Sequence, residues 1–121
     1  FAWIVNSEDG LDEISPYSKT NIIQINNNKI SEISVDPKKM DIKADGFNNL
    51  LGDDAKFNAN KMIDIFKGLD NDFSKAVCLN SAAGLIVSEK CLNFSEAYEK
   101  SREHILSGKT YKYLKSIQND Q

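Results

Sequence analysis

The 121 residues predict an α/β fold: a small sheet first, then a run of helices. Three observations carry this. The chain opens on a continuous apolar run, Phe1-Ala2-Trp3-Ile4-Val5. Two β-branched segments follow, Thr20 to Ile25 and Ile30 to Val35, separated by Asn26-Asn27-Asn28-Lys29. From Asp53 onward the apolar spacing changes from alternation to the 3.6-residue period of helices. A length of 121 is one domain or less, and folding at that size buries roughly two-thirds of the unfolded surface.

The opening run has the pattern of a strand buried on both faces of a parallel sheet. Such a strand needs parallel neighbours, which nothing downstream supplies, so the chain reads as the C-terminal part of a longer protein. Asn6 to Pro16 is polar and turn-rich, with Asp9-Gly10 as its turn signal. The two β-branched segments form a hairpin closed by a four-residue turn, since asparagine tolerates positive φ. Asp36-Pro37 stops its second strand, and residues 38–52 read as a loop with one short helical turn.

Ala55, Ala59, Met62, Ile63 and Phe66 make one helical stripe, with Asp53 or Asp54 as N-cap and Gly68 just past the end. Ser74 to Glu89 is apolar on every side and predicts a helix buried all round, where Ala83 and Gly84 would admit another backbone closely. Asn93-Phe94-Ser95-Glu96 resembles a capping box and starts a third helix, which runs to Ser107 and ends at Gly108. Lys109 to Asn119 is a fourth, amphipathic helix through Leu114 and Ile117.

A net charge of −3 argues against a nucleic-acid binder, which normally shows a basic face. No apolar run approaches the roughly 20 residues of a membrane span, and no secretory signal opens the chain. Cys78 and Cys91 on one helix would stand about 20 Å apart, too far to bridge, and read as buried thiols of a reducing cytoplasm. Arg102 is the only arginine among fifteen basic residues. A self-contained anion site would therefore rest on lysines and backbone amides rather than a bidentate guanidinium.

The segment with chemical content is Glu8-Asp9-Gly10-Leu11-Asp12-Glu13-Ile14-Ser15. Four carboxylates in six residues repel one another, and a cation between them relieves that cost. They follow a strand, where the ligand sites of open α/β sheets lie. Mg²⁺ takes hard oxygen ligands, typically one or two carboxylates plus substrate phosphates, so Asp12 and Glu13 are a candidate metal pair. A solvated acidic loop is the competing reading. Elsewhere the expectations are structural: Asn80 a buried amide bonded to backbone, Trp3 a sheet or core residue, Tyr111 and Tyr113 packing residues, and His104 no catalyst.

Gly10-Leu11-Asp12-Glu13-Ile14-Ser15 resembles the G-L-D-E-x-S segment of anthranilate phosphoribosyltransferases. Gly52-Asp53-Asp54-Ala55 with Asn58-Ala59 is similar to that family's G-G-D-x-x-x-N-A helix start. Leu79 to Leu85 is similar to its L-N-A-A-A-x-L helix, and Ala97 through Ser107-Gly108-Lys109 to its A-x-x-S-I-x-S-G-K-A ending. Four motifs in register cover nearly the whole chain. Asn6-Ser7 replaces a His-Gly-type step, and Asp53 replaces the second glycine of G-G-D; neither change touches the Asp-Glu pair.

The resemblance implies residues 1–121 of the C-terminal part of a nucleoside phosphorylase/phosphoribosyltransferase-type α/β domain. The implied reaction moves the phosphoribosyl group of 5-phosphoribosyl 1-diphosphate to the anthranilate amine, releasing pyrophosphate, with no protein nucleophile. Asp12 and Glu13 would hold Mg²⁺. A G-T-G-G-D phosphate loop, a K-H-G-N-R segment and the anthranilate arginine are not among these residues. The N-terminal helical domain that makes the family's homodimer would also lie upstream, so the segment is expected to be inactive alone. The alternatives are a non-catalytic paralogue or a fragment of a related nucleoside phosphorylase acting as a binding module.

Overall fold

A computed structural model describes residues 1–119 of the chain. Three strands form an antiparallel meander in the order β1 (Ala2–Ser7), β2 (Thr20–Asn26) and β3 (Lys29–Val35). Four helices follow: α1 (Ala55–Phe66), α2 (Asp72–Val87), α3 (Phe94–Leu106) and α4 (Lys109–Asn119).

The parallel sheet expected for β1 is corrected. β1 pairs antiparallel with β2, from Ala2 opposite Ile25 to Ser7 opposite Thr20. An apolar run reports burial, not strand direction. Its two faces also differ here: Trp3, Val5 and Ser7 turn inward, while Ala2 and Ile4 share the outer face with Ile23, Ile25 and Ile30, and Ile4 is 60% exposed.

The hairpin stands with a tighter turn than the four residues expected. Asn26 pairs with Lys29, leaving Asn27 and Asn28 at φ 48° and 63°, the two positive angles of a type I′ turn. Residues 37–50 hold two 3-10 turns, Pro37–Met40 and Phe47–Leu50, rather than one.

The inner sheet face closes on α2 and α3. Ile22 and Val35 join Ile14, Cys78, Leu79, Ala82, Ala97, Tyr98 and Ile105 in one core. Trp3 stacks on Phe94 at 6.1 Å, and its indole N–H donates to Gln24 at 3.0 Å. Cys78 and Cys91 are both buried and unbridged, and burial pushes the Cys78 thiol up to about 11.

α1 begins on Asp54, whose carboxylate accepts the Phe57 N–H at 2.7 Å, and ends at Gly68, φ 103°. Its expected stripe is only partly seated: Ala55, Ala59 and Met62 are exposed, and Ile65 is the buried residue. The helix packs chiefly on α3 and α4, so the register of its contacts follows those neighbours rather than the stripe.

α2 starts two residues before Ser74, on a reciprocal capping box between Asn71 and Ser74. It is not buried all round, because Val77, Ser81 and Gly84 form an exposed stripe. A Cβ on Gly84 would meet nothing, so no backbone approaches it closely among the described residues. α3 starts on Asn93, which accepts the Glu96 N–H, as its sequence predicts. No helix of the described residues is long and apolar enough to cross a membrane.

Candidate functional site

The acidic segment is the connection between β1 and β2, and it divides into two halves. Glu8 pairs with Lys19 at 3.3 Å, and its N–H donates to the Lys19 carbonyl. Asp9 turns inward. Its Oδ2 accepts the Ser15 hydroxyl at 2.6 Å and its Oδ1 accepts the Leu11 N–H at 3.3 Å. Partial burial raises the Asp9 pKa, and the hydrogen bonds from Ser15, Ser7 and Leu11 outweigh it, so the net shift is downward. Gly10, at φ 91°, supplies the left-handed turn between the halves.

Asp12 and Glu13 face solvent. The ion pairs of the described residues are Lys19–Glu8, Lys43–Asp41, Lys75–Asp72 and Arg102–Asp70, and they leave both acids out. Directly after them the backbone dives into the core, with Ile14 and Ser15 fully buried. Two tethers fix this descent.

The first is Asn80 on α2. Its Oδ1 accepts the Ile14 N–H at 2.9 Å while its amide donates to the Ile14 carbonyl at 3.0 Å and to Ala76 O at 2.9 Å. The backbone bond expected of this amide is present. The second is Asp72, buried at the first turn of α2. Its Oδ2 accepts the Tyr17 hydroxyl at 3.1 Å, the Asp45 N–H at 2.9 Å and the Asn49 amide at 2.9 Å, and Oδ1 accepts Lys75 Nζ at 3.0 Å. Burial alone would raise this carboxyl, but bonds from Asn49, Lys75, Asp45 and Tyr17 hold it down at about 2. The Tyr17 phenol moves the other way, through burial and the Asp72 charge beside it.

A groove of about 510 Å³ lies between the acidic loop and α2, lined by Glu13, Leu50, Phe73, Ala76, Val77, Asn80 and Ser81. Its floor is apolar and Glu13 stands at its edge. A second, polar hollow of about 460 Å³ adjoins it at Phe73 and is bounded by Asp45, Asn49, Lys61, Asp72 and Lys75.

The donor set suits a hard divalent cation. Two carboxylates on consecutive residues, exposed and without a cationic partner, offer oxygen ligands only. No third His, Cys, Asp or Glu gathers with them among the described residues. The rest of a coordination shell would therefore come from phosphate oxygens and water. Arg102, the one guanidinium, is committed to Asp70 at 2.6 Å, and His104 is exposed on α3.

Residues 1–111 match the model of the glycosyl transferase family, a/b domain. The chain belongs to this family. Over 119 residues, 98% of the chain, it is 74% identical to the anthranilate phosphoribosyltransferase of Pelagibacter ubique, and it spans 36% of that relative. The enzyme of the same name from Dictyoglomus thermophilum is 34% identical over 91% of the chain. The chain thus spans about a third of the length of the curated relatives it matches.

Solved structures agree on the fold. Anthranilate phosphoribosyltransferase from Thermus thermophilus superposes over 95% of the chain at a TM-score of 0.84 and 22% identity, covering 34% of that structure. The Saccharomyces cerevisiae enzyme, solved in complex with PRPP and Mg, superposes at 0.80 with 25% identity over 93% of the chain and 33% of its own. The family indicated by the four motifs is therefore the right one. Sequence reasoning missed Asp72, Tyr17 and Asn49. The only local signal for them was the Asn71-x-x-Ser74 cap, which would have moved the start of α2 forward to Asp72.

Proposed function

We propose that the protein carrying this segment transfers the phosphoribosyl group of 5-phosphoribosyl 1-diphosphate to the amine of anthranilate, releasing pyrophosphate. The observation that carries this reading is the 74% identity across 119 residues to a relative of that name. In this reading the segment supplies the metal-holding face of the site. Asp12 and Glu13 hold Mg²⁺ against the diphosphate. When bound, the metal neutralises charge that would otherwise build on the leaving pyrophosphate.

The chain's own contribution is placement. Ser15 anchors Asp9, Asn80 grips Ile14, and Asp72 holds Tyr17, so the acid pair is presented on backbone fixed on both sides. Preorganisation of this kind makes electrostatic catalysis effective, because no reordering is needed as charge develops. No side chain here is asked to act as nucleophile or base. The anthranilate site, the diphosphate cradle and a homodimer contact belong to the remainder of the protein, and the setting is the cytoplasm, in keeping with two buried free thiols.

Anthranilate fluorescence tests the reading. The full-length protein should consume the signal only with both Mg²⁺ and 5-phosphoribosyl 1-diphosphate present. Residues 1–121 alone should show no turnover, because one face of a site cannot hold two substrates together. A full-length protein that leaves anthranilate untouched under those conditions would overturn it.

A further inference from the structure

We propose that Asn80 is the positioning residue for the acid pair: its side-chain amide sets where Glu13 stands and thereby sets affinity for a metal–diphosphate complex. The inference rests on the metal role proposed above and goes beyond it by assigning a residue that touches neither metal nor substrate.

The geometry is specific. Asn80 meets both backbone groups of Ile14, accepting at 2.9 Å and donating at 3.0 Å, and so imitates a neighbouring strand for one residue. Its second amide proton is fixed on Ala76 O, four residues back on α2. Both donors and the acceptor of the side chain are thus used, which leaves it one orientation. Ile14 N is bonded to the carbonyl carbon of Glu13, so the clamp holds the peptide plane from which the Glu13 side chain springs. Glu13 and Asn80 also line the same groove. No other polar side chain among the described residues bonds the backbone of residues 12–14. Remove the clamp, and the stretch between Leu11 and Ser15 keeps the buried Ile14 side chain but loses the only side-chain hydrogen bonds to its backbone.

Because the groove opens beside Asn80, Asn80→Ala admits water to the freed Ile14 groups, and the fold is expected to survive. Outer-shell partners of metal ligands are commonly worth 10–100-fold in metal affinity. The direct test titrates Mn²⁺ into full-length protein with inorganic pyrophosphate, counting free Mn²⁺ by its EPR signal. Asn80→Ala should weaken Mn²⁺ binding by roughly tenfold or more.

In turnover the half-saturating Mg²⁺ concentration should rise in step, with the KM for anthranilate unchanged. Ser81→Ala, on the same groove but outside the clamp, should change neither. If Asn80→Ala does not fold, Asn80→Ser carries the same expectation, since a hydroxyl can bond Ala76 O but cannot span to Ile14. Unshifted Mn²⁺ binding in a folded Asn80 variant, while Asp12→Asn/Glu13→Gln does shift it, would overturn this inference alone. Binding that neither change shifts would overturn the metal role as well.

Discussion

The two halves of the acidic loop are chemically alike and structurally opposite. Glu8 and Asp9 are spent on the fold: one meets Lys19, the other receives Ser15, and Asp9 is held ionised more firmly than a free carboxyl. Asp12 and Glu13, three and four residues past Asp9, have no such partner and face solvent. Four carboxylates in six residues would by charge alone destabilise a loop. Glu8 and Asp9 remove their share of that cost through an ion pair and hydrogen bonds, and Asp12 and Glu13 leave theirs unrelieved. Substitutions in the inner half and its tethers should therefore move stability, and those in the outer half should move metal affinity.

The largest stability effect is expected at Asp72→Asn. This removes a buried charge that serves Lys75, Tyr17, Asp45 and Asn49 together, and should cost about 3 kcal/mol by denaturant unfolding of the full-length protein. The pH dependence sharpens it. The carboxyl sits near 2 when folded and about 3.9 when unfolded, so its contribution is present above pH 4 and disappears as pH falls towards 2. That window should contain a loss of about 2 kcal/mol, and Asp72→Asn should flatten it. Asp9, lowered as well, leaves a smaller slope of the same sign.

Ser15→Ala comes next. The Ser15 hydroxyl donates to Asp9 and accepts the Tyr17 and Ser18 N–H groups, so its loss should cost about 1–2 kcal/mol. Metal affinity should move far less than in the outer pair.

The smallest effect lies away from the loop. α1 and α2 end on the same motif, but α1 has Gly68 in the left-handed position and α2 has Glu89, φ 58°. In α2 the Glu89 N–H bonds Ile86 O and the Lys90 N–H bonds Leu85 O, as Gly68 and Leu69 do with Ile65 and Asp64 in α1. Glu89→Gly should raise stability by up to about 1 kcal/mol, seen as a higher melting temperature with Mg²⁺ titration unchanged.

Local signals were legible wherever the chain speaks to itself within a few residues. The hairpin, the Asp54 and Asn93 caps, the glycine ends of α1 and α3 and the apolar body of α2 all follow from short-range spacing. The misjudged details have one cause. β1 reads as apolar throughout, yet strand direction depends on β2, whose first residue is thirteen beyond its end. The stripe of α1 has the right period but seats by Ile65 because α3 and α4 choose the contact. The candidate site divides the same way. Asp12 and Glu13 stand out locally by charge density, and Asn80 stands out as an amide in an apolar helix. Its partner Ile14 is 66 residues away, and Asp72 joins Tyr17 across 55, separations that no periodicity encodes.

The proposed reaction requires Asp12 and Glu13 to be metal ligands rather than a solvated loop. The most direct measurement is a Mg²⁺ titration of anthranilate turnover by the full-length protein and by its Asp12→Asn/Glu13→Gln variant, at fixed substrate concentrations. The variant keeps the shape of both side chains and removes two charges. Its half-saturating Mg²⁺ should rise by an order of magnitude or more. Its stability without metal should hold or increase slightly, since two like charges no longer stand side by side. Coincident titration curves with equal maximal rates would rule out the metal role and return these two carboxylates to solvent.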